Sequence, residues 1–266
     1  MLNIAMCGAS GRMGRTIVPL LAARSDMRLS GALVAPDDES IGSDAGVLAG
    51  GPAAGVPLVA DLETALSGAG VAIDFTRPDA ALVNARYCRE RDCAMVIGTT
   101  GFDAHALDEL REIACGIPIV LAPNMSLGVN LVFRLAELAA RALEQRYDAE
   151  IVEAHHRHKV DAPSGTALEL GRSVARGRGV DFERAAVFSR QGITGPREAG
   201  SIGFSVIRGG DIVGDHQLIF AGPGEQIEIA HRAQDRTGFA RGAVSAAAWV
   251  AGREPSLYTM FDVLGL

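Results

Sequence analysis

The chain has 266 residues, 48% of them hydrophobic and 21% charged, with a formal net charge of −7. That is a globular composition in a chain long enough to bury a substantial core and to divide into two domains. The acidic balance argues against a non-specific nucleic-acid binder, which needs a basic footprint, and no apolar run reaches the length of a membrane span.

In chain order, "LNIAMC" reads as a buried strand and "RTIVPLLAAR" as a helix interrupted by Pro19. "MRLSGALV" is a second strand, followed by a loop rich in Gly, Pro and Asp from Pro36 to about Gly55. "VPLV" is a short strand, and Asp61 is the expected N-cap of a helix over "LETALSG". "VAIDF", "AMVIGTTG" and "IPIVLAPN" are further strands. They alternate with helices over "PDAALVNARYCRER", with Pro78 near its first position, and "DAHALDELREIA". Such alternation predicts a parallel sheet with helices on both faces, whose ligands bind beyond the carboxyl ends of the strands. "GASGRMG", "GTTG" and "APNMS" fall at such ends, which supports one shared site.

The second half changes character. A long helix over about Ser126 to Arg146 leads into the strand "AEIVEAH", and a helix runs from about Thr166 to Ala175. Strands follow over "AAVFSR", "IGFSVIRG", "HQLIFAG" and "EQIEIAHRA", with Gly209-Gly210 and Gly222-Pro223-Gly224 as turns. "GFARGAVSAAAWVAG" is a small-residue apolar helix, expected to be buried against the first domain. The expected fold class is α/β: a Rossmann-like parallel-sheet domain plus a second α+β domain with a mixed, largely antiparallel sheet.

Cys7, Cys88, Cys93 and Cys115 have no CxxC spacing, so reduced thiols in a cytoplasmic protein are expected. "MLNIAMCGAS" lacks a basic segment and a long apolar one, and no signal peptide is expected.

Gly8, Gly11 and Gly14 follow the first strand and open a helix. Glycines there permit a tight turn and close backbone approach to a pyrophosphate, and the helix start presents N–H groups and a favourable dipole. The acid that grips a ribose 2′-OH is absent from the end of the second strand, where Val34 and Ala35 stand; Asp37, Asp38 and Glu39 come slightly later. Arg12 could meet a 2′-phosphate or lie solvated on the first turn. The preference between NADH and NADPH is therefore open.

"EAHHRHKVDAPSGTA", Glu153 to Ala167, places His155, His156, Arg157, His158 and Lys159 in a row. If the strand continues through them, His155, Arg157 and Lys159 share one face and His156 and His158 the other, which does not converge three ligands on a metal. No HExxH is present, the adjacent cations repel a dication, and no metal is expected. An anion fits better. Thr166 with Glu169 matches a capping box, so a helix begins near Thr166 and the N–H groups of Gly165 and Thr166 are available to a carboxylate. Imidazole also titrates near neutrality and can move a proton. Of the three histidines, His158 is the one expected to be structural.

These motifs, with "VIGTTGF" and the C-terminal "EPSLYTMFDVLGL", resemble the 4-hydroxy-tetrahydrodipicolinate reductase (dihydrodipicolinate reductase) family of bacterial lysine and diaminopimelate synthesis, across essentially the whole chain. The resemblance implies reduction of a cyclic unsaturated imine dicarboxylate by NADH or NADPH. It implies His155 as proton donor or acceptor, Lys159 as proton donor, and His156, Gly165 and Thr166 as substrate contacts. It places the cofactor on Gly8, Ala9, Ser10, Gly11, Arg12 and Met13, with Gly98, Thr99, Thr100, Ala122, Pro123, Asn124 and Met125 near the nicotinamide. It also implies a homotetramer joined through the second domain. Residues 1–126, completed by 236–266, are then the dinucleotide-binding domain, and 127–235 the substrate-binding and oligomerisation domain. Neither nucleic acid nor membrane is an expected partner.

Overall fold

The computed structural model describes residues 1–235 and 237–266. Arg236, where the expected return to the first domain begins, lies outside the described residues. The chain forms two compact units, Met1–Leu127 with Thr237–Leu266, and Gly128–Arg236.

The first unit is built on β1 (Leu2–Cys7), β2 (Met27–Leu33), β3 (Leu58–Val59), β4 (Val71–Asp74), β5 (Ala94–Ile97) and β6 (Ile119–Leu121). Between them lie α1 (Arg12–Ala22), α2 (Ala45–Leu48), α3 (Leu62–Leu66), α4 (Pro78–Glu90) and α5 (Ala104–Ala114). After α6 (Leu127–Leu143) the chain enters the second unit. The second unit holds β7 (Asp148–His155), α7 (Gly165–Arg178), α8 (Phe182–Ala185), β8 (Ala186–Val187), β9 (Ile202–Arg208), β10 (Gly214–Gly222) and β11 (Glu225–Ala233). The chain then returns through α9 (Thr237–Val250), β12 (Leu257–Tyr258) and α10 (Met260–Leu264).

The first sheet has the order β12-β6-β5-β4-β1-β2-β3, and every pairing is parallel. Strand alternation feeds two cores. Ile4, Met6 and Val96 join Ile17, Leu21, Ala243 and Val250 on one face, while Ala5, Cys7, Met95 and Ile97 join Ala85, Leu110 and Ile113 on the other. Removing such a fully buried side chain costs about 2–5 kcal/mol for Leu→Ala. Asp61 and Asp103 cap α3 and α5 through the Thr64 and Ala106 N–H groups, and Pro78 opens α4. The small residues of α9 let it lie very close to the backbone: a Cβ on Gly242 would fall 1.7 Å from the Met125 carbonyl oxygen.

The second sheet is mixed, in the order β11-β10-β7-β9-β8. Strand β10 pairs antiparallel with β11 and β7, whereas β7–β9 and β8–β9 are parallel. Along β7 the inward residues are Ala149, Ile151, Glu153 and His155, and α7 packs against β7, β9 and β10.

Several elements differ from the sequence expectation. The Pro36–Gly55 loop contains α2, because the Asp44 carboxylate gathers the N–H groups of Gly46, Val47, Ala54, Gly55 and Val56. The long helix stops at Leu143 and ends in a 3₁₀ turn, Glu144–Arg146, with Glu144 at φ +54°. "AAVFSR" yields only the two-residue β8; beyond it Arg190 and Arg197 hold the irregular chain onto β7 through Glu150. The cap of α7 is Ser164, not Thr166: the Ser164 side chain accepts from the Ala167 N–H, which puts Thr166 at the second helical position. The strand ends at His155, so residues 156–159 follow a turn and have no strand alternation.

Candidate active site

At the carboxyl edge of the first sheet, backbone hydrogen bonds step from loop to loop. The Phe75 N–H donates to the Cys7 carbonyl (3.1 Å), the Gly98 N–H to Asp74 (2.9 Å) and the Ala122 N–H to Ile97 (3.1 Å). On the other side the Gly8 and Ala9 N–H groups both donate to Leu33 at the end of β2. The three loops singled out in the sequence are thus lateral neighbours, and the sheet order reverses between β1 and β4 beside them.

The glycine loop is shaped by close approach. Gly8 has φ +83°, and a Cβ there would lie 2.9 Å from the Phe75 carbonyl oxygen. A Cβ on Gly14 would lie 2.4 Å from the Gly8 oxygen and 2.5 Å from that of Ala9. Gly11 is the N-cap of α1, without a side-chain cap, and the first turn carries no acid. A pyrophosphate fits this helix start, which is tightly turned, uncapped and without an acid in its first turn. Ala9 is buried, Ser10 and Met13 half-buried, and Gly11 and Arg12 exposed.

Val34 is buried at the end of β2 and Ala35 is exposed. Asp38 folds back instead: its Oδ2 accepts from the Ser10 hydroxyl at 2.5 Å, and its Oδ1 accepts from the Ser40 N–H. The Ser10 and Ser40 bonds hold its carboxyl below the usual carboxylate range.

Around the "GTT" loop, sequence reasoning missed Asp74. This fully buried carboxylate accepts from the Thr76 N–H and hydroxyl, from Asn84 Nδ2 at 2.7 Å and from the Thr99 hydroxyl at 2.8 Å. Thr99 is buried and fixed, Thr100 is exposed, and a Cβ on Gly98 would penetrate the Phe75 ring. In the next loop Ala122 and Met125 are buried, Pro123 is exposed, and Asn124 Oδ1 accepts from the Ser126 N–H at 2.9 Å.

In the second unit the histidine segment separates. His155 is buried, His156 is half-buried, and His158 is exposed with its ring centroid 6.3 Å from that of His156. The expectation of a structural His158 therefore fails, because it lies on the solvent side of the turn. Lys159 Nζ donates to both Asp161 oxygens, at 2.8 and 2.9 Å. The Ala162-Pro163 peptide is cis. At the start of α7 the Ser164 cap takes the third N–H, the first belongs to exposed Gly165, and no acid lies in the first turn. A Cβ on Gly165 would meet nothing within 4 Å, so the approach to this helix end is open.

Four residues accompany His155. Glu153 Oε2 lies 2.6 Å from His155 Nδ1; Arg208 donates to both Glu153 oxygens at 2.8 Å; the Ser164 N–H donates to Oε1 at 2.9 Å. His216, opposite Glu153 on β10, has Nε2 2.9 Å from the Ser164 hydroxyl oxygen and meets the His155 ring edge-on at 5.0 Å. Burial drives the His216 pKa down to about 3, with the neighbouring His155 adding to the effect, so this imidazole is neutral. The period-2 pattern of β7 could have flagged Glu153, two residues from His155. Arg208 and His216 carried no local signal.

Cys7 and Cys93 are buried, and burial beside Asp74 pushes the Cys7 thiol up. That leaves it no thiolate for nucleophilic chemistry. Among the described residues no three His, Cys, Asp or Glu side chains are grouped to hold a metal ion, and no helix is long and apolar enough to cross a membrane.

A parallel sheet with an uncapped glycine-loop helix at its switch point defines the class: the chain is a nicotinamide-dependent oxidoreductase. Family models described as "Dihydrodipicolinate reductase, N-terminus" and "Dihydrodipicolinate reductase, C-terminus" match residues 2–125 and 128–264. The chain belongs to the dihydrodipicolinate reductase family. It is similar to the 4-hydroxy-tetrahydrodipicolinate reductases of Nitrosospira multiformis (53% identity over 265 residues, 100% of this chain and 98% of the relative) and Ralstonia pickettii (51% over 265 residues, 100% of each). Among solved structures it resembles a dipicolinate-bound dihydrodipicolinate reductase from Paenisporosarcina sp. TG-14. The TM-score is 0.80 at 26% identity, covering 98% of each chain.

Proposed function

We propose that the chain reduces 4-hydroxy-tetrahydrodipicolinate, through its dehydrated cyclic imine, to tetrahydrodipicolinate in lysine and diaminopimelate synthesis. The observation that carries this reading is the segment His155–Thr166. Within twelve residues it joins a buried imidazole, a lysine and an open helix start, in a chain whose full-length relatives bear that reductase name.

The bound nicotinamide supplies the hydride. The protein's residues bind, orient and protonate. The backbone of Gly8 to Met13 takes the pyrophosphate at the N-terminus of α1. Gly98, Thr99 and Thr100, with Ala122, Pro123, Asn124 and Met125, contact the nicotinamide end, and Asp74 holds Thr99 in place. Gly165 and Thr166 take one substrate carboxylate at the start of α7, and His156 contacts the substrate. Hydride addition leaves an electron pair on the substrate that takes up one proton, and His155 or Lys159 gives it.

Val34 and Ala35 provide neither an acid for a ribose 2′-OH nor a cation for a 2′-phosphate, so these two positions set no preference between NADH and NADPH. The protein works in the cytoplasm as a homotetramer. The outer face of the second sheet, where Ile207 is exposed beside Val152 and Ala154 of β7, is the surface assigned to self-association. Steady-state kinetics with NADH and NADPH on enzymatically generated substrate test the reading. Substrate-dependent loss of absorbance at the reduced-nicotinamide band is expected with both; none with either overturns it. Light scattering on the purified chain tests the tetramer, and a monomeric mass removes it.

A further inference from the structure

We propose that Glu153 is a positioning residue for the reduction: anchored by Arg208 and the Ser164 N–H, it binds His155 Nδ1 and so presents Nε2 as the nitrogen that moves the proton. The proposal rests on the reading of His155 as a proton donor.

Glu153 is 1% exposed and its side chain is fully buried. A carboxylate in such a place needs partners, and here both oxygens are used. Oε2 faces His155 Nδ1 and one Arg208 nitrogen; Oε1 takes the other Arg208 nitrogen and the Ser164 N–H. Arg208 also donates to the Asp161 carbonyl, so it ties the strand to the turn that carries Lys159. Burial pushes the Glu153 pKa up, but the bonds from Arg208, His155 and Ser164 outweigh it and hold the carboxyl below its ordinary range. An ionised carboxylate only accepts hydrogen bonds. Nδ1 must therefore be the protonated nitrogen of His155, which leaves Nε2 to carry the lone pair when the ring is neutral and the mobile proton when it is charged.

The surroundings of Nε2 fit that division. Gly214 on β10 faces it, and a Cβ there would lie 3.0 Å from Nε2 and 3.3 Å from Cδ2. The titratable and charged groups that act on the ring are Glu153 on β7 and His216 on β10, and those that act on these partners are Arg208 on β9 and, on the turn, Lys159 beside His216 and Asp161 beside Arg208. His231 on β11 acts on His216 from the far side. Of these, Glu153 alone is hydrogen-bonded to the His155 ring in the structure.

The test compares the full-length wild type with His155→Gln, Glu153→Gln and Glu153→Asp, following kcat and KM from pH 5.5 to 9, NADH binding by fluorescence, and the ¹⁵N shifts of the His155 ring. Loss of an outer carboxylate that orients a metal-ligating histidine typically costs about 10- to 100-fold, and the same scale is taken for His155. Glu153→Gln should lower kcat by that factor and displace the His155-dependent limb of the pH profile, with KM within about threefold and NADH binding unchanged. Glu153→Asp should recover part of the loss. In the neutral wild-type ring the proton should reside on Nδ1. A Glu153→Gln enzyme with the wild-type pH profile, beside an impaired His155→Gln, overturns the proposal while sparing the reading of His155. An active His155→Gln overturns that reading itself. If Glu153→Gln does not fold, the wild-type spectrum decides, and a proton on Nε2 overturns the proposal.

Discussion

The glycine loop of the first unit is a surface made by leaving side chains out, and the cluster around His155 is one made by burying them. At Gly8, Gly14 and Gly98 a Cβ would strike a carbonyl oxygen or the Phe75 ring at 2.2–2.9 Å, so the loops pack backbone directly against their neighbours. At Glu153, Arg208, His216 and Ser164, polar groups from three strands and a helix cap occupy one another's hydrogen-bonding capacity. The first arrangement tolerates almost no added volume. The second depends on matched polarity: Arg208 Nε and His216 Nδ1 are already buried without a partner, and every further group left alone in the interior keeps its desolvation cost. The two surfaces should therefore fail differently when altered.

The largest effect is expected where a proton is moved. Lys159→Ala should lower kcat by about 10²–10⁴-fold, the usual range for loss of a positioned proton donor, with NADH binding by fluorescence nearly intact; full activity would remove Lys159 from its role. In the glycine surface, Gly14→Ala forces a methyl against the Gly8 and Ala9 oxygens. It should cost roughly 1–3 kcal/mol of stability by overpacking and weaken NADH binding, read together from urea unfolding and fluorescence titration. A stable variant with normal affinity would show that the loop can yield.

A pH experiment reads the second surface by itself. His216 has its folded pKa lowered to about 3 from the ordinary 6.5. Between those values the unfolded chain binds a proton that the folded one does not, so stability falls as pH is lowered from about 6.5 towards 3. The slope is at most about 1.4 kcal/mol per pH unit from this group. Above pH 6.5 its contribution is complete. Urea midpoints at pH 4.5 and 7 should differ less in His216→Gln than in the wild type; an unchanged difference would show that the imidazole is not kept neutral. The smallest effect is expected at Asp74→Asn. Thr99 then loses a charged acceptor, a bond of about 1.5–3 kcal/mol, part of which the amide oxygen restores, and the change should appear in KM for NADH more than in kcat.

How far the sequence carries depends on the same contrast. The alternation of short apolar runs with helical ones made the parallel sheet legible, Asp61 and Pro78 marked their helix starts correctly, and the mixed second sheet was expected from its strands. The short motif "EAHHRHKVDAPSGTA" identified the candidate site. It misled at Thr166, since both Ser164 and Thr166 are capping residues by type and only the fold shows that Ser164 accepts from the Ala167 N–H. It carried no signal that would place His158, which was expected to be structural and is exposed where the chain turns after His155. Asp38 was visible as an acid near the second strand, but its bond to Ser10 needs a reversal of the chain across 28 residues.

By itself the sequence determined the positions where the backbone must come close, because only glycine satisfies them and glycine is read directly, and it determined the period of each strand and helix. Only the tertiary structure decided that Glu153, rather than any of its acidic neighbours, would be sealed beneath His155. That outcome required Arg208 to arrive from β9, His216 from β10 and the Ser164 N–H from the cap of α7. A buried charge is viable only when partners distant in the chain converge on it, and that convergence is a property of the pairing of strands, not of any one segment.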